Sequence, residues 1–228
     1  EHNLEFIAVS IGFRFQDSTF MYKLLAISAV CGFVGAISSK MMLLLDRARQ
    51  SFKGWTPQLF FVLACAFVFA GVVYTFGSIS LGSGGNLLDA YLFEDNPNPT
   101  FANAAGRVFG NMFTMGAGGA GGIFAPALSS GAAIGGLIGS WFSVDRGELN
   151  MLILGGMCAF LTAVTRSPFT SAILVLEMTD RHSVIFQLMY ACMIASIVSH
   201  AVDNRSVYDR LKTRLLDQLK LMPPRGKS

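Results

Sequence analysis

Charge is scarce in this sequence. Only 14% of its 228 residues are Asp, Glu, Lys or Arg, against about a quarter in soluble domains. None of these four occurs in Trp55–Leu88, Val108–Val144 or Val184–Val202. The spacings that carry enzyme chemistry are missing as well. There is no H-E-x-x-H, and His2, His182 and His200 lie far apart in the chain. The four cysteines, Cys31, Cys65, Cys158 and Cys192, fall in separate apolar segments without C-x-x-C spacing, so they read as small buried hydrophobes and not as disulfides or metal ligands. No catalytic residue, metal site or cofactor is assigned. Nucleic acid is not an expected partner either. The excess of 17 Lys and Arg over 14 Asp and Glu is small, and basic residues flanking apolar segments are a topology signal.

Hydrophobic residues make up 53% of the chain and mean hydropathy is +0.53. Each of the three charge-free windows approaches or exceeds the roughly 20 apolar residues that span about 30 Å of hydrocarbon. The fold class these runs imply is all-α, a polytopic membrane helix bundle. Glu1–Asp17 mixes apolar and polar residues and reads as an external loop, with no cleavable signal peptide expected. Residues 18–203 read as membrane helices: Ser18–Arg49, then a crossing from Pro57 to about Phe76, a short helix at Asn86–Leu92, and Phe101–Thr114 capped by Thr100. Ile123–Phe142, dense in Gly and Ala, follows. Asp145–Asn150 reads as a polar connection. The last segments, Met151–Thr165, Phe169–Met178 and His182–Val202, are short, as in broken, tilted helices aimed at the bilayer midplane. Residues 204–228 read as an amphipathic cytoplasmic-side helix and tail, with Val207, Leu211, Leu215 and Leu219 at helical spacing. Basic residues at Lys40–Lys53 and after Arg205 place both regions in the cytoplasm, and Asp89, Glu94 and Asp95 on the far side.

Within the second window lies Met115-Gly116-Ala117-Gly118-Gly119-Ala120-Gly121-Gly122-Ile123-Phe124-Ala125-Pro126. Non-helical backbone at membrane depth is tolerated only where protein buries it or where it lines a cavity. Glycines let the main chain turn, and the helix restarting near Gly122 or Ile123 brings unpaired N–H groups and the positive end of its dipole. The stretch reads as an anion site. Gly116-x-Gly118-x-x-Gly121 also satisfies the dinucleotide fingerprint. That motif requires a preceding β-strand and a soluble βαβ unit, whereas a membrane-length apolar run follows here. No Walker lysine follows it either.

Gly121-Gly122-Ile123-Phe124-Ala125-Pro126 resembles the G-x-F-x-P signature of the CLC chloride channels and chloride/proton antiporters. The resemblance continues through Arg166-Ser167-Pro168-Phe169-Thr170 and Leu174-Val175-Leu176-Glu177-Met178-Thr179 to Ser206-Val207-Tyr208. Ala120 departs from it, standing where many relatives have proline. The resemblance implies chloride as the bound ion, held by the backbone N–H groups of Ile123 and Phe124 and the phenolic O–H of Tyr208, with Gly122 shaping the donors. Neutral donors let a halide bind and still leave. By itself, Tyr208 reads equally well as an interfacial belt tyrosine. Glu177, a carboxylate at the end of an apolar helix, reads either as a proton or ion relay or, by preference, as a cap or paired interface residue. Arg166 reads as the end of a helix at the water boundary. The resemblance further implies a homodimer through Phe169–Met178 and Ile185–Ile197.

A CLC subunit has two halves of inverted topology, and the match is to the second. The G-x-E-G-P glutamate segment of the first half is not found in residues 1–228. The reading is therefore the C-terminal half of a multi-pass membrane subunit, in a bacterial inner membrane with a cytoplasmic C-terminus. Its missing N-terminal half would come from the same or a separate chain. The competing readings are a half-size assembly subunit without transport activity and a transporter of another small anion such as fluoride.

Overall fold

The structure is a computed structural model that describes residues 18–203, apart from 53, 78–79, 94–97, 120 and 180–181. Every regular element among them is helical. The order is α1 (Ser18–Ser51), α2 (Trp55–Phe76), α3 (Gly85–Phe93), α4 (Phe101–Gly116), α5 (Phe124–Trp141), α6 (Arg146–Thr165), α7 (Pro168–Thr179) and α8 (Ile185–Val202). One 3-10 turn, His182–Val184, precedes α8.

α6 is the central post, and every residue from Met151 to Thr165 on it is buried. It packs against α1, α5, α7 and α8. Lipid tails are as apolar as leucine, so close packing and not water exclusion holds such helices together. Small residues permit it. A Cβ on Gly131 of α5 would run into the carbonyl oxygen of Gly156 on α6, and one on Gly135 would come within 2.9 Å of the Leu152 carbonyl. On the other side of the post, a Cβ on Gly35 of α1 would lie 3.2 Å from the Phe160 carbonyl. The four cysteines are free and buried among these helices.

α1, α2, α6 and α8 are each long and apolar enough to cross a bilayer. α2 stands at the periphery, with 6% of its most apolar window buried, and packs mainly on α4.

Two expectations are corrected. The polar stretch Asp145–Asn150 is not a connection but the start of α6. Asp145 caps that helix by accepting from the Glu148 backbone N–H at 3.1 Å, and Lys23 pairs with Glu148 at 2.8 Å. The helix so begun has 20 residues, so the segment before Arg166 is not one of the short pieces. Thr100 caps α4 as expected, accepting from the Asn103 N–H at 3.2 Å.

Candidate functional site

The glycine stretch interrupts the helix. α4 runs two residues past Thr114 and closes at Ala117. Gly118 has φ +89°, a left-handed conformation that glycine adopts without a Cβ penalty. This turn lets the Gly118 N–H donate to the Met115 carbonyl and the Gly119 N–H to the Thr114 carbonyl, both at 3.0 Å. α4 is thereby finished with its own main chain, and Gly121 and Gly122 lead into α5 outside either helix.

α5 starts differently. Ile123 is its N-cap, in helical dihedrals (φ −78°, ψ −26°), and no side chain caps it. The first backbone bond of α5 runs from the Ala127 N–H to the Ile123 carbonyl at 3.1 Å. Helix geometry leaves the amides of Phe124 and Ala125 without intrahelical acceptors, and Pro126 has no N–H to satisfy. A cavity of about 400 Å³ opens beside this start, lined by Gly121, Gly122 and Ala125 from the break and by Ser80, Asn111 and Thr114 opposite. No Asp or Glu among the described residues lines it. The Arg49 guanidinium of α1 lies against Gly118, where a Cβ would come within 2.7 Å of Cζ. It is held in part by Asp46 at 3.1 Å. Donors and positive potential therefore gather at the break.

Of the residues expected to form the site, Gly122 lines this cavity. Ile123 instead turns its half-buried side chain into the core, and Phe124 is exposed. Their contribution would be through the main chain, not the side chains. Tyr208 lies outside the described residues. Arg166 ends α6 as expected, in a left-handed conformation (φ 62°). Its Nη2 also donates to the carbonyls of Ser199 at 2.7 Å and Asp203 at 2.6 Å, closing the end of α8. Glu177 is exposed on α7 and has no hydrogen bond or ion pair among the described residues, so the cap or partner expected for it is not found among them. One residue the sequence reading passed over also stands at the site: Asn111, which bridges α4 to the first turn of α5; Arg107, one turn earlier on α4, is buried beside a neighbouring cleft. Arg107 could have been noticed as the single charged residue of α4.

Residues 7–200 match the protein family described as voltage gated chloride channel. The chain belongs to that family. Within it, the chain is 35% identical over 129 residues to the H(+)/Cl(−) exchange transporter ClcA of Vibrio cholerae serotype O1, covering 53% of this chain and 28% of that protein. It is 36% identical over 107 residues to the voltage-gated ClC-type chloride channel ClcB of an Escherichia coli strain, covering 45% of this chain and 25% of that protein. Two solved structures share its fold. One is a slow cyanobacterial Cl−/H+ antiporter, with TM-score 0.71 at 22% identity over 90% of this chain and 49% of that one. The other is a CLC-type fluoride/proton antiporter, with TM-score 0.70 at 21% identity over 82% of this chain and 48% of that one. The chain thus spans about half of the related folds and less of the curated relatives. The all-helical architecture is that of the family, and the protein is a multi-pass membrane protein.

Proposed function

We propose that this chain supplies the second half of a chloride pathway in a CLC-type channel or antiporter. In this reading the amides at the start of α5, from Gly122 to Phe124, hold the ion from one side and Tyr208 closes the site from the cytoplasmic side. Residues 204–228 form the cytoplasmic end. The remaining half of the pathway comes from N-terminal residues of the same or another chain, and subunits pair as homodimers through α7 and α8. The observation that carries this reading is the uncapped start of α5, opening beside a cavity on whose wall no described residue is a carboxylate. Backbone amides bind a halide without a full opposing charge, at about 1.5–3 kcal/mol for each hydrogen bond to an ion. The ion stays bound yet can leave.

Replacing Ile123 tests this directly. Its φ of −78° is one a proline ring accepts, so Ile123→Pro deletes one N–H while leaving the backbone path open. Chloride binding to the intact protein should weaken about tenfold or more, and chloride efflux from liposomes should fall. Ile123→Ala, which keeps the N–H and loses the side chain, should bind within about threefold of wild type. Equal binding in the proline and alanine variants would rule out the amide assignment. Tyr208→Phe should weaken chloride binding in the same assay. Running fluoride beside chloride separates the two ions, and efflux of neither would favour an assembly role.

A further inference from the structure

α1 carries three buried serines, Ser28, Ser38 and Ser39, and two of them spend their hydroxyls on the helix itself. Ser28 Oγ donates to the Leu24 carbonyl at 2.6 Å and Ser39 Oγ to the Gly35 carbonyl at 2.9 Å, a common resting place for a serine inside a helix. Ser38 makes no such bond, nor any other hydrogen bond among the described residues, although only 2% of it is exposed. A buried hydroxyl without a partner is costly, and more so inside a membrane protein.

Ser38 lines a small cavity behind the start of α5, together with Asn111 of α4, Ile123 and Pro126 at the beginning of α5, and Phe160 of α6. The cavity leaves about 10 Å³ for the centre of a water molecule, close to the least that holds one. Among its described lining residues only Ser38 and Asn111 have polar side chains. Asn111 spends its Nδ2 on the Pro126 carbonyl and on Ser130 Oγ, both at 2.7 Å. Its Oδ1 accepts no hydrogen bond among the described residues. The cavity therefore offers one unused hydroxyl and one unused carbonyl oxygen, the two polar partners that a buried water needs. Asn111 and Pro126 also line the larger cavity in front, so they form the partition between the two.

We infer that one ordered water occupies this cavity, accepting from Ser38 Oγ and donating to Asn111 Oδ1, and that Ser38 is thereby a positioning residue for the start of α5. An asparagine amide can turn over and exchange its nitrogen for its oxygen. A water anchored on the Ser38 hydroxyl holds Oδ1 on the side of this cavity, which keeps Nδ2 aimed at the Pro126 carbonyl in the first turn of α5. The water does not depend on the chloride reading; only its consequence for anion binding does.

A crystal structure of the intact protein, at a resolution that shows ordered water, tests the inference. The expected result is a peak within about 2.5–3.0 Å of both Ser38 Oγ and Asn111 Oδ1. An empty cavity would overturn it, as would a Ser38 hydroxyl that donates to the Val34 carbonyl while the peak touches Asn111 alone. Ser38→Ala should lose the peak. Amide exchange at Ala127 and Leu128 should then be about fivefold faster, with exchange on α7 unchanged. In an Asn111→Leu background Ser38→Ala should make no further difference at those amides, because the water has already lost its acceptor. Equal acceleration in both backgrounds would remove the positioning role. The wild-type map decides on the water even where the double variant fails to fold. Equal chloride affinity in Ile123→Pro and Ile123→Ala, beside a water at Ser38, would sink the chloride-site reading and leave this one standing.

Discussion

The carbonyl oxygen of Pro126 accepts from Asn111 Nδ2 at 2.7 Å, Ser130 Oγ at 2.8 Å and Ser129 Oγ at 3.0 Å. Asn111 also donates to Ser130 Oγ at 2.7 Å, so one amide ties α4 to the first turn of α5 across the glycine break. Such a network fixes where the open amides of α5 sit, because the break itself has few side chains to hold it. Asn111→Leu keeps the γ-branched shape and removes both bonds. It should cost about 1–3 kcal/mol, read as a lower melting temperature in detergent, and should also weaken chloride binding by loosening the start of α5. Asn111→Asp keeps the acceptor geometry but can no longer donate to the Pro126 carbonyl, and should destabilise at least as much. Nothing in the sequence marked Asn111, since a lone amide among apolar neighbours has no motif. The break was legible because glycines at that density have few other uses inside a charge-free run.

At the level of elements, periodicity and charge-free length placed nearly every helix, and the start of α6 shows where they stop being informative. Asp145-Arg146-Gly147-Glu148 is polar enough to pass for a loop, yet Asp145 and Glu148 are spaced to cap a helix. Lys23 of α1, 125 residues away in sequence, neutralises the Glu148 carboxylate. That partner is a tertiary fact which local reading does not contain. The small-residue faces were legible in kind, but which glycines touch backbone was not. Gly131 and Gly71 make the contrast testable. Gly131 meets the Gly156 carbonyl on α6, whereas Gly71 on α2 has nothing within 4 Å of its Cβ position. Gly131→Ala should force α5 and α6 apart and lower the melting temperature by several degrees, whereas Gly71→Ala should leave it unchanged or raise it, by up to about 1 kcal/mol of helix propensity. Loss of stability in both, or in neither, would mean that the α5–α6 contact is not what sets the packing.

Across the whole molecule, two of the exposed apolar faces are ones that composition cannot tell apart. α2 presents Phe60, Phe67 and Tyr74 at 73%, 80% and 91% exposure, and α7 with α8 presents Phe169, Phe186 and Ile197 at 68%, 67% and 70%. Neighbouring elements separate them. α2 packs mainly on α4 and touches α1 only slightly, as a helix with lipid around it would. α7 and α8 pack on each other and on the buried post α6, so their outer face is backed by a rigid wall suited to a flat subunit contact. Under the homodimer reading, Phe186→Ala with Ile197→Ala removes two large side chains from that wall. The intact protein should shift from dimer towards monomer in light scattering as it is diluted in detergent. Phe60→Ala with Phe67→Ala removes comparable area from α2 and should leave the dimer intact, because lipid or detergent fills the space it vacates. If the α2 pair dissociates the dimer and the α8 pair does not, the two faces have been assigned the wrong way round.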